Sequence, residues 1–92
     1  MTVDKQLQLL KCVADDTRIQ ILIYLKNGER CVCEIMKSLN KEQSLISHHL
    51  QALRRCGLIQ RRREGKKIMY RLIDSSILKL LADIEKLSDK FC

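Results

Sequence analysis

The middle of the chain contains two short amphipathic segments separated by a four-residue polar break. Residues 31–39 and residues 44–56 each carry apolar side chains at intervals of three or four, the spacing that places them on one face of a helix. The break between them, residues 40–43, has room only for a tight turn. Two short helices joined by such a turn are typical of a helix-turn-helix, so this pattern limits the chain to a small set of folds.

Two candidate strands follow the second of these helices. Residues 58–63 and 67–72 are separated by a short turn centred on Gly65, and the second strand alternates apolar and polar positions. Gly57 is a natural end for the preceding helix, because glycine adopts the left-handed conformation at little cost. A β-hairpin directly after a helix-turn-helix forms the wing of a winged helix. The predicted fold is therefore mainly α with a small β-hairpin, a winged helix-turn-helix.

Three further helices are predicted outside this motif. They cover residues 3–14, 18–26 and 75–92, and the polar residues 15–17 supply N-cap candidates for the second of them. A chain of 92 residues predicts a single domain, residues 1–92, with a thin core that a second subunit would complete. We expect the N- and C-terminal helices to be the dimerisation helices of a homodimer.

The last predicted helix carries apolar residues at spacings of 3, 4, 3 and 4, which is the pattern of a coiled-coil seam. The alternative is a helix that packs only on its own domain, but the length of the repeat in a thin domain favours a subunit interface. With the apolar positions of the first helix, the predicted interface comprises Leu7, Leu10, Ile77, Leu80, Ile84, Leu87 and Phe91.

The positive charge of the chain is concentrated around the predicted hairpin. Residues 54–71 contain eight basic side chains and one acidic one, Glu64, so this segment holds the whole net charge of +7. Such a concentration indicates a polyanionic partner. An anionic membrane surface is the alternative to nucleic acid, but the segment is not an amphipathic helix, so double-stranded DNA is the predicted partner.

The second helix of the motif has a polar face opposite its apolar one. Serine, histidine and glutamine side chains at positions i, i+3, i+4 and i+7 suit a helix in the major groove, with basic residues at the hairpin tip against the backbone or minor groove. The predicted DNA-binding residues are Gln43, Ser44, Ser47, His48, Gln51, Arg63, Lys66 and Lys67. Adjacent histidines project about 100° apart on a helix, so His48 and His49 are not predicted to chelate a metal, and His49 is expected to pack.

Five cysteines occur without the apolar run of a signal peptide and without a membrane-length segment. The odd count argues against a structural disulfide framework, so we expect a cytoplasmic protein whose cysteines are thiols. An enzyme is not predicted, because the chain has neither a phosphate-binding glycine loop nor a nucleophile–base motif. The alternative from that class, a thiol-redox enzyme using Cys31 and Cys33, lacks the βαβ context of such proteins.

Four motifs, in order, carry a family resemblance. Residues 14–22 resemble the "DPTR-x-x-IL" entry to the second helix of ArsR/SmtB repressors, and residues 31–34 resemble their metal-binding "CVC(D/E)" box. Residues 47–54 resemble their "SHHL-x-x-LR" recognition helix, and residues 57–72 resemble their wing. The resemblance implies a homodimeric repressor that needs no cofactor to bind an inverted-repeat operator. It also implies release by an inducer, which the arsenic- and antimony-responsive branch holds on the cysteines of the box.

The chain departs from the family pattern in three respects. Asp16 replaces the usual proline, and Met36 stands where well-known arsenic repressors have a third cysteine, although a thioether is a much weaker ligand than a thiolate. Asp74 matches the start of the zinc pattern of the last helix, but that helix contains no histidine, so no zinc site is predicted there.

Cys31 and Cys33 form the sharpest chemical feature of the sequence. A helix N-terminus lowers the pKa of a thiol, which favours binding of soft ions such as As(III) or Sb(III). In a regular helix these side chains would project about 200° apart, so both could contact one ion only if the first turn is irregular. The third thiol is predicted to come from Cys12 or Cys56, either within one chain or across the dimer, with Cys92 a weaker candidate. A redox switch through the same cysteine pair, or a regulator with no metal ligand, is the alternative.

Overall fold

The structure is a computed structural model that describes residues 3–92. Five helices and a three-stranded sheet alternate along the chain, with a short 3-10 turn at Leu25–Asn27 after the second helix. The helices are α1 (Val3–Val13), α2 (Asp16–Tyr24), α3 (Val32–Leu39), α4 (Gln43–Arg55) and α5 (Ser76–Phe91), and the strands are β1 (Arg30–Cys31), β2 (Ile59–Glu64) and β3 (Lys67–Leu72). No helix of the described chain is both long and apolar enough to cross a membrane.

The predicted winged helix-turn-helix is confirmed. Strands β2 and β3 pair antiparallel with Arg63 opposite Ile68 and Glu64 opposite Lys67, and Gly65 turns between them with φ of 61°. Helix α4 ends at Arg55, and Gly57 follows in the left-handed conformation, with φ of 78°. The predicted element boundaries agree with the structure to within two residues.

Strand β1 is an element that the sequence pattern does not predict. It is two residues long, pairs with β3 through Arg30 opposite Tyr70 and Cys31 opposite Met69, and makes the order of the sheet β1-β3-β2. A strand this short has no measurable periodicity, so only its pairing partner identifies it. Its position matters because it sets the backbone of Cys31 in place next to the hairpin.

The core lies where the two helices of the helix-turn-helix, α3 and α4, pack against α2 and the sheet. Six side chains are essentially inaccessible to solvent and come from α2, α3 and α4: Ile21, Leu22, Ile35, Ile46, Leu50 and Leu53. Asp15 begins α2 by accepting a hydrogen bond from the backbone N–H of Arg18 at 3.1 Å, which makes it the N-cap among the three candidates. Helices α3 and α4 therefore pack against α2 through a shared buried core.

The terminal helices carry most of the exposed apolar surface. Leu7 and Leu10 of α1 and Leu87 and Phe91 of α5 are each between 44% and 74% exposed in one chain. Ile84 is also exposed and Leu80 is half-buried. Ile77, one of the predicted interface residues, instead packs in the core of its own chain, because it lies in the first turn of α5, next to the sheet end.

Candidate nucleic-acid interface and thiol pairs

Helix α4 presents a polar face to solvent. Its inward side chains, Ile46, Leu50 and Leu53, are no more than 1% exposed, and this anchors the orientation of the helix about its own axis. The opposite face is exposed along its length and carries Gln43, Ser44, Ser47, His48 and Gln51. The structure thus places all the predicted helix residues on one free surface, with hydrogen-bonding groups available to base edges.

His49 lies on the other side of α4 from its neighbour His48. Its ring is 7% exposed, and its Nδ1 accepts a hydrogen bond from Nε of Arg18 at 3.0 Å. Burial lowers the pKa of His49, with the nearby guanidinium of Arg18 acting in the same direction, while Asp15 at 3.8 Å opposes them. Because Nδ1 accepts this hydrogen bond, the imidazole is neutral. His49 is a buried residue that packs α4 against α2, as predicted.

The hairpin extends from the core with its charged side chains in solvent. Arg63, Lys66 and Lys67 are exposed at its tip. Arg62 is different, because its guanidinium holds both carboxylate oxygens of Glu29, with Nε at 2.9 and 3.1 Å and Nη2 at 2.6 Å. The same bonds hold the pKa of Glu29 below its usual range. This ion pair fastens the wing to the segment before β1, and no local pattern in the sequence predicts it.

Cys31 and Cys33 bring their sulfur atoms together. Cys31 is the N-cap of α3, with extended backbone at φ of −85° and ψ of 166°, so its side chain does not follow the helical rotation. The two Sγ atoms are 2.7 Å apart. The predicted irregularity at the start of the helix is therefore already built in through β1, and no unwinding is needed for both sulfurs to contact one ion.

The pKa of the Cys31 thiol shifts in the direction opposite to the one predicted from the sequence. Burial raises the pKa of the Cys31 thiol, and the hydrogen bond with Cys33 acts in the same direction, whereas the sequence predicts a lowered pKa at a helix N-terminus. Cys31 is 3% exposed, and its backbone N–H donates to Oε1 of Glu34 at 3.1 Å, which lowers the pKa of that carboxyl group. The thiol thus lies next to the carboxylate of Glu34.

A cavity of about 300 Å³ joins the thiol pair to the predicted DNA-contacting residues. Cys31 and Cys33 form part of its wall together with Met36, so the position where the family has a third cysteine faces the same space. The remaining wall includes the first residue of α4 and the hairpin tip: Gln43, Lys66 and Lys67. A ligand bound to the two sulfurs would therefore occupy a cavity that both halves of the predicted DNA interface line.

Cys12 and Cys56 form a disulfide between α1 and the end of α4, 44 residues apart in sequence with Cα atoms separated by 6.6 Å. The expectation that all five cysteines are thiols is therefore wrong for this pair. These two sulfurs lie on a different cavity from Cys31 and Cys33, so neither supplies the predicted third thiolate within one chain. In residues 3–92 no three His, Cys, Asp or Glu side chains cluster as a metal site, and Cys92 is exposed at the end of the chain.

Bacterial regulatory proteins of one family are similar in sequence to this chain. The family model for bacterial regulatory proteins of the arsR family matches residues 15–61. An HTH-type transcriptional regulator of Methanocaldococcus jannaschii is 35% identical over 85 residues, covering 91% of this chain and 96% of that protein. The arsenical resistance operon repressor of Escherichia coli is 45% identical over 67 residues, covering 72% of this chain and 57% of that protein.

A solved structure shows the same fold over nearly the whole chain. The homodimeric winged helix-turn-helix DNA-binding domain from Mycobacterium bovis superposes with a TM-score of 0.86 at 32% identity, covering 97% of this chain and 82% of that one. The chain spans little more than half the length of the arsenical resistance repressor it matches. The relatives are DNA-binding regulators and not enzymes. The chain belongs to the arsR family of bacterial regulatory proteins and is a transcriptional repressor of the ArsR/SmtB type.

Proposed function

We propose that this repressor binds an inverted-repeat operator as a homodimer and releases it when trivalent arsenic or antimony binds Cys31 and Cys33. The observation that carries the proposal is the cavity shared by this thiol pair, by Gln43 of α4 and by Lys66 and Lys67 of the wing. A repressor bound to the chromosome acts in the cytoplasm, which is where the proposal places this chain.

The position of the thiol pair explains how binding would weaken DNA contact. The inducer would bridge Sγ atoms that are 2.7 Å apart, at the point where β1 passes into α3. An inducer held by both sulfurs would occupy the cavity that Gln43 and the wing lysines line, and would thereby shift these side chains from their DNA-binding positions. The change in DNA affinity can be no larger than the difference in inducer affinity between the two arrangements.

The chemistry of the pair favours a trivalent metalloid over a divalent cation. Arsenous acid, As(OH)₃, is neutral, and each thiol that condenses with it replaces one hydroxide and releases one water molecule. Cys31 and Cys33 would thus hold the arsenic as a dithiolate with one hydroxide remaining. A divalent cation instead expels the thiol protons into solvent, which the buried position of Cys31 makes more costly.

DNA recognition in this proposal uses the exposed face of α4 and the wing tip. Gln51 and Ser47 would reach base edges, and Arg63, Lys66 and Lys67 would bind phosphates. The dimer would place two copies of α4 about 34 Å apart, one helical turn of DNA. The exposed apolar residues of α1 and α5 supply the surface for this dimer: Leu7, Leu10, Ile84, Leu87 and Phe91.

The inducer is tested by DNA release from a labelled operator fragment. Arsenite, antimonite, cadmium, zinc and peroxide are titrated against wild type, Cys31→Ser and Cys33→Ser, with Cys92→Ser as the matched control. We expect arsenite and antimonite to release wild type and Cys92→Ser, while the other two variants hold DNA and do not release it. Release of both variants at the wild-type arsenite concentration would show that the pair is not the sensor.

The assembly is tested by sedimentation of a chain with Ile84→Glu and Leu87→Glu. Both side chains are exposed in one chain, so the substitutions leave the core of the subunit intact while burying charge in any α5 interface. We expect monomers with the helical content of wild type. An intact dimer would place the subunit interface elsewhere.

A further inference from the structure

We propose that Cys12 and Cys56 form a redox-active thiol pair whose reaction partners are small anionic thiols and their disulfides. The pair is separate from the inducer site proposed at Cys31 and Cys33, because the two pairs line different cavities. The inference depends on the proposed function only for its DNA-binding readout.

The two sulfurs differ in accessibility. Cys12 lies near the end of α1 and is 2% exposed, whereas Cys56 follows the last residue of α4 and is exposed. A soluble reagent therefore meets Cys56 first. Cys12 is the leaving group, with its Sγ 3.8 Å from the carbonyl oxygen of Ala52, within reach of a weak S–H···O bond once the thiol is protonated.

Cations surround the pair. The disulfide borders a cavity of about 540 Å³, and no acidic residue lines it. Four of its wall residues are basic, namely Lys5, Lys11, Arg18 and Arg55. Positive charge stabilises a departing thiolate and concentrates anions from solution. Both effects favour exchange with an anionic thiol over exchange with a neutral or cationic one.

The reaction is thiol–disulfide exchange in two steps. A reagent thiolate attacks Sγ of Cys56, forming a mixed disulfide, and the Cys12–Cys56 bond breaks with its electron pair on Cys12. A second reagent thiolate then attacks the reagent sulfur of that mixed disulfide, which releases the reagent disulfide and leaves a thiolate on Cys56. Two electrons pass from the two reagent thiols to the cysteine pair, and the small disulfide reverses the sequence.

The Cys12–Cys56 disulfide connects α1 to α4, the helix predicted to contact DNA bases. It joins α1, which carries the exposed Leu7 and Leu10, to the end of α4. Arg18 adds a second connection, since Nη1 donates to the carbonyl oxygen of Cys12 at 3.2 Å and Nε to His49 on α4. The disulfide therefore holds α4 in place relative to the helix predicted to set the dimer. Less motion remains to be lost on binding DNA, so the oxidised form is expected to bind more tightly.

The reagent class is tested by the rate of reduction, followed by mass spectrometry of alkylated peptides. Mercaptosuccinate, 2-mercaptoethanol and cysteamine are compared at equal thiolate concentration on wild type, on Lys5→Gln with Lys11→Gln, and on the matched control Lys79→Gln with Lys86→Gln on α5. We expect mercaptosuccinate to react about tenfold faster than cysteamine on wild type and control, with most of that preference lost in the first variant. Equal rates for the three thiols on wild type would overturn the proposal.

The coupling is tested by the affinity for an operator fragment with the pair oxidised or reduced. We expect reduction to weaken binding about fivefold or more in wild type and in Cys92→Ser. Cys56→Ser, which changes an exposed side chain, should bind like reduced wild type in both conditions while still releasing DNA with arsenite. Equal affinity of oxidised and reduced wild type, or tighter binding after reduction, would contradict the inference. Loss of DNA binding by every form would instead contradict the proposed function.

Discussion

The two thiol pairs of this chain differ in sequence separation and in surroundings. Cys31 and Cys33 are two residues apart, next to the carboxylate of Glu34, and share a cavity with residues predicted to contact DNA. Cys12 and Cys56 are 44 residues apart, border a basic cavity and join two helices. We propose that the first pair holds an ion locally, whereas the second cross-links α1 to the end of α4. The same side-chain chemistry thus has different surroundings in the two pairs.

The largest expected effect separates the pairs by their response to arsenite. Cys31→Ser combined with Cys33→Ser should raise the arsenite concentration for half-release of DNA by about a hundredfold or more, because the variant retains no thiol in that cavity. Cys56→Ser should stay within about threefold of wild type. The measurement is fluorescence anisotropy of a labelled operator. Equal losses in the two variants would mean that both pairs belong to one site.

The second prediction concerns the free energy of unfolding, to which only the Cys12–Cys56 pair should contribute through a bond. Reducing the Cys12–Cys56 bond should lower the free energy of unfolding by about 2–4 kcal/mol, because the unfolded chain loses the restriction of a long closed loop. Reduction should have no such effect on Cys56→Ser, which cannot form the bond. Urea unfolding with and without reductant measures both. A reductant effect of equal size in Cys56→Ser would show that this disulfide does not stabilise the chain.

The third prediction concerns a substitution that should strengthen arsenite binding at Cys31 and Cys33. Met36 lines the same cavity as Cys31 and Cys33, so Met36→Cys adds a third thiol where a thioether now stands. We expect the arsenite concentration for half-release to fall about tenfold, the equivalent of about 1.4 kcal/mol. Met36→Leu, the matched control of similar size, should respond as wild type does. No gain from the cysteine would mean that this wall of the cavity does not face the bound metalloid.

The smallest effect concerns the wing, which borders the first pair only. Lys66→Gln combined with Lys67→Gln should reduce the slope of log affinity against log salt by about 2, because two phosphate contacts are lost. Lys79→Gln combined with Lys86→Gln changes the charge equally on α5 and should leave the slope unchanged. An unchanged slope in the wing variant would remove the wing from the DNA interface.

Much of the winged helix-turn-helix could be predicted from the sequence. The apolar spacing of α4 orients its polar face, since Ile46 and Leu50 must turn inward, and Gly57 and Gly65 mark turns that need positive φ. The sequence only partly distinguishes residues of the predicted dimer interface from residues of the core. Ile77 belongs to the same apolar repeat as the exposed Leu87, yet it packs in the core of its own chain. A repeat identifies an apolar face, but not which part of that face another element of the same chain covers.

The sequence by itself determined the helices, the hairpin and the family, because periodicity, caps and motifs depend on residues close together in the chain. Only the tertiary structure decided three features that bear on function: the bond between Cys12 and Cys56, the ion pair between Glu29 and Arg62, and the cavity that the Cys31–Cys33 pair shares with the wing tip. Each joins segments that are distant in sequence. Such contacts depend on how several elements pack at once, and no local spacing encodes that arrangement.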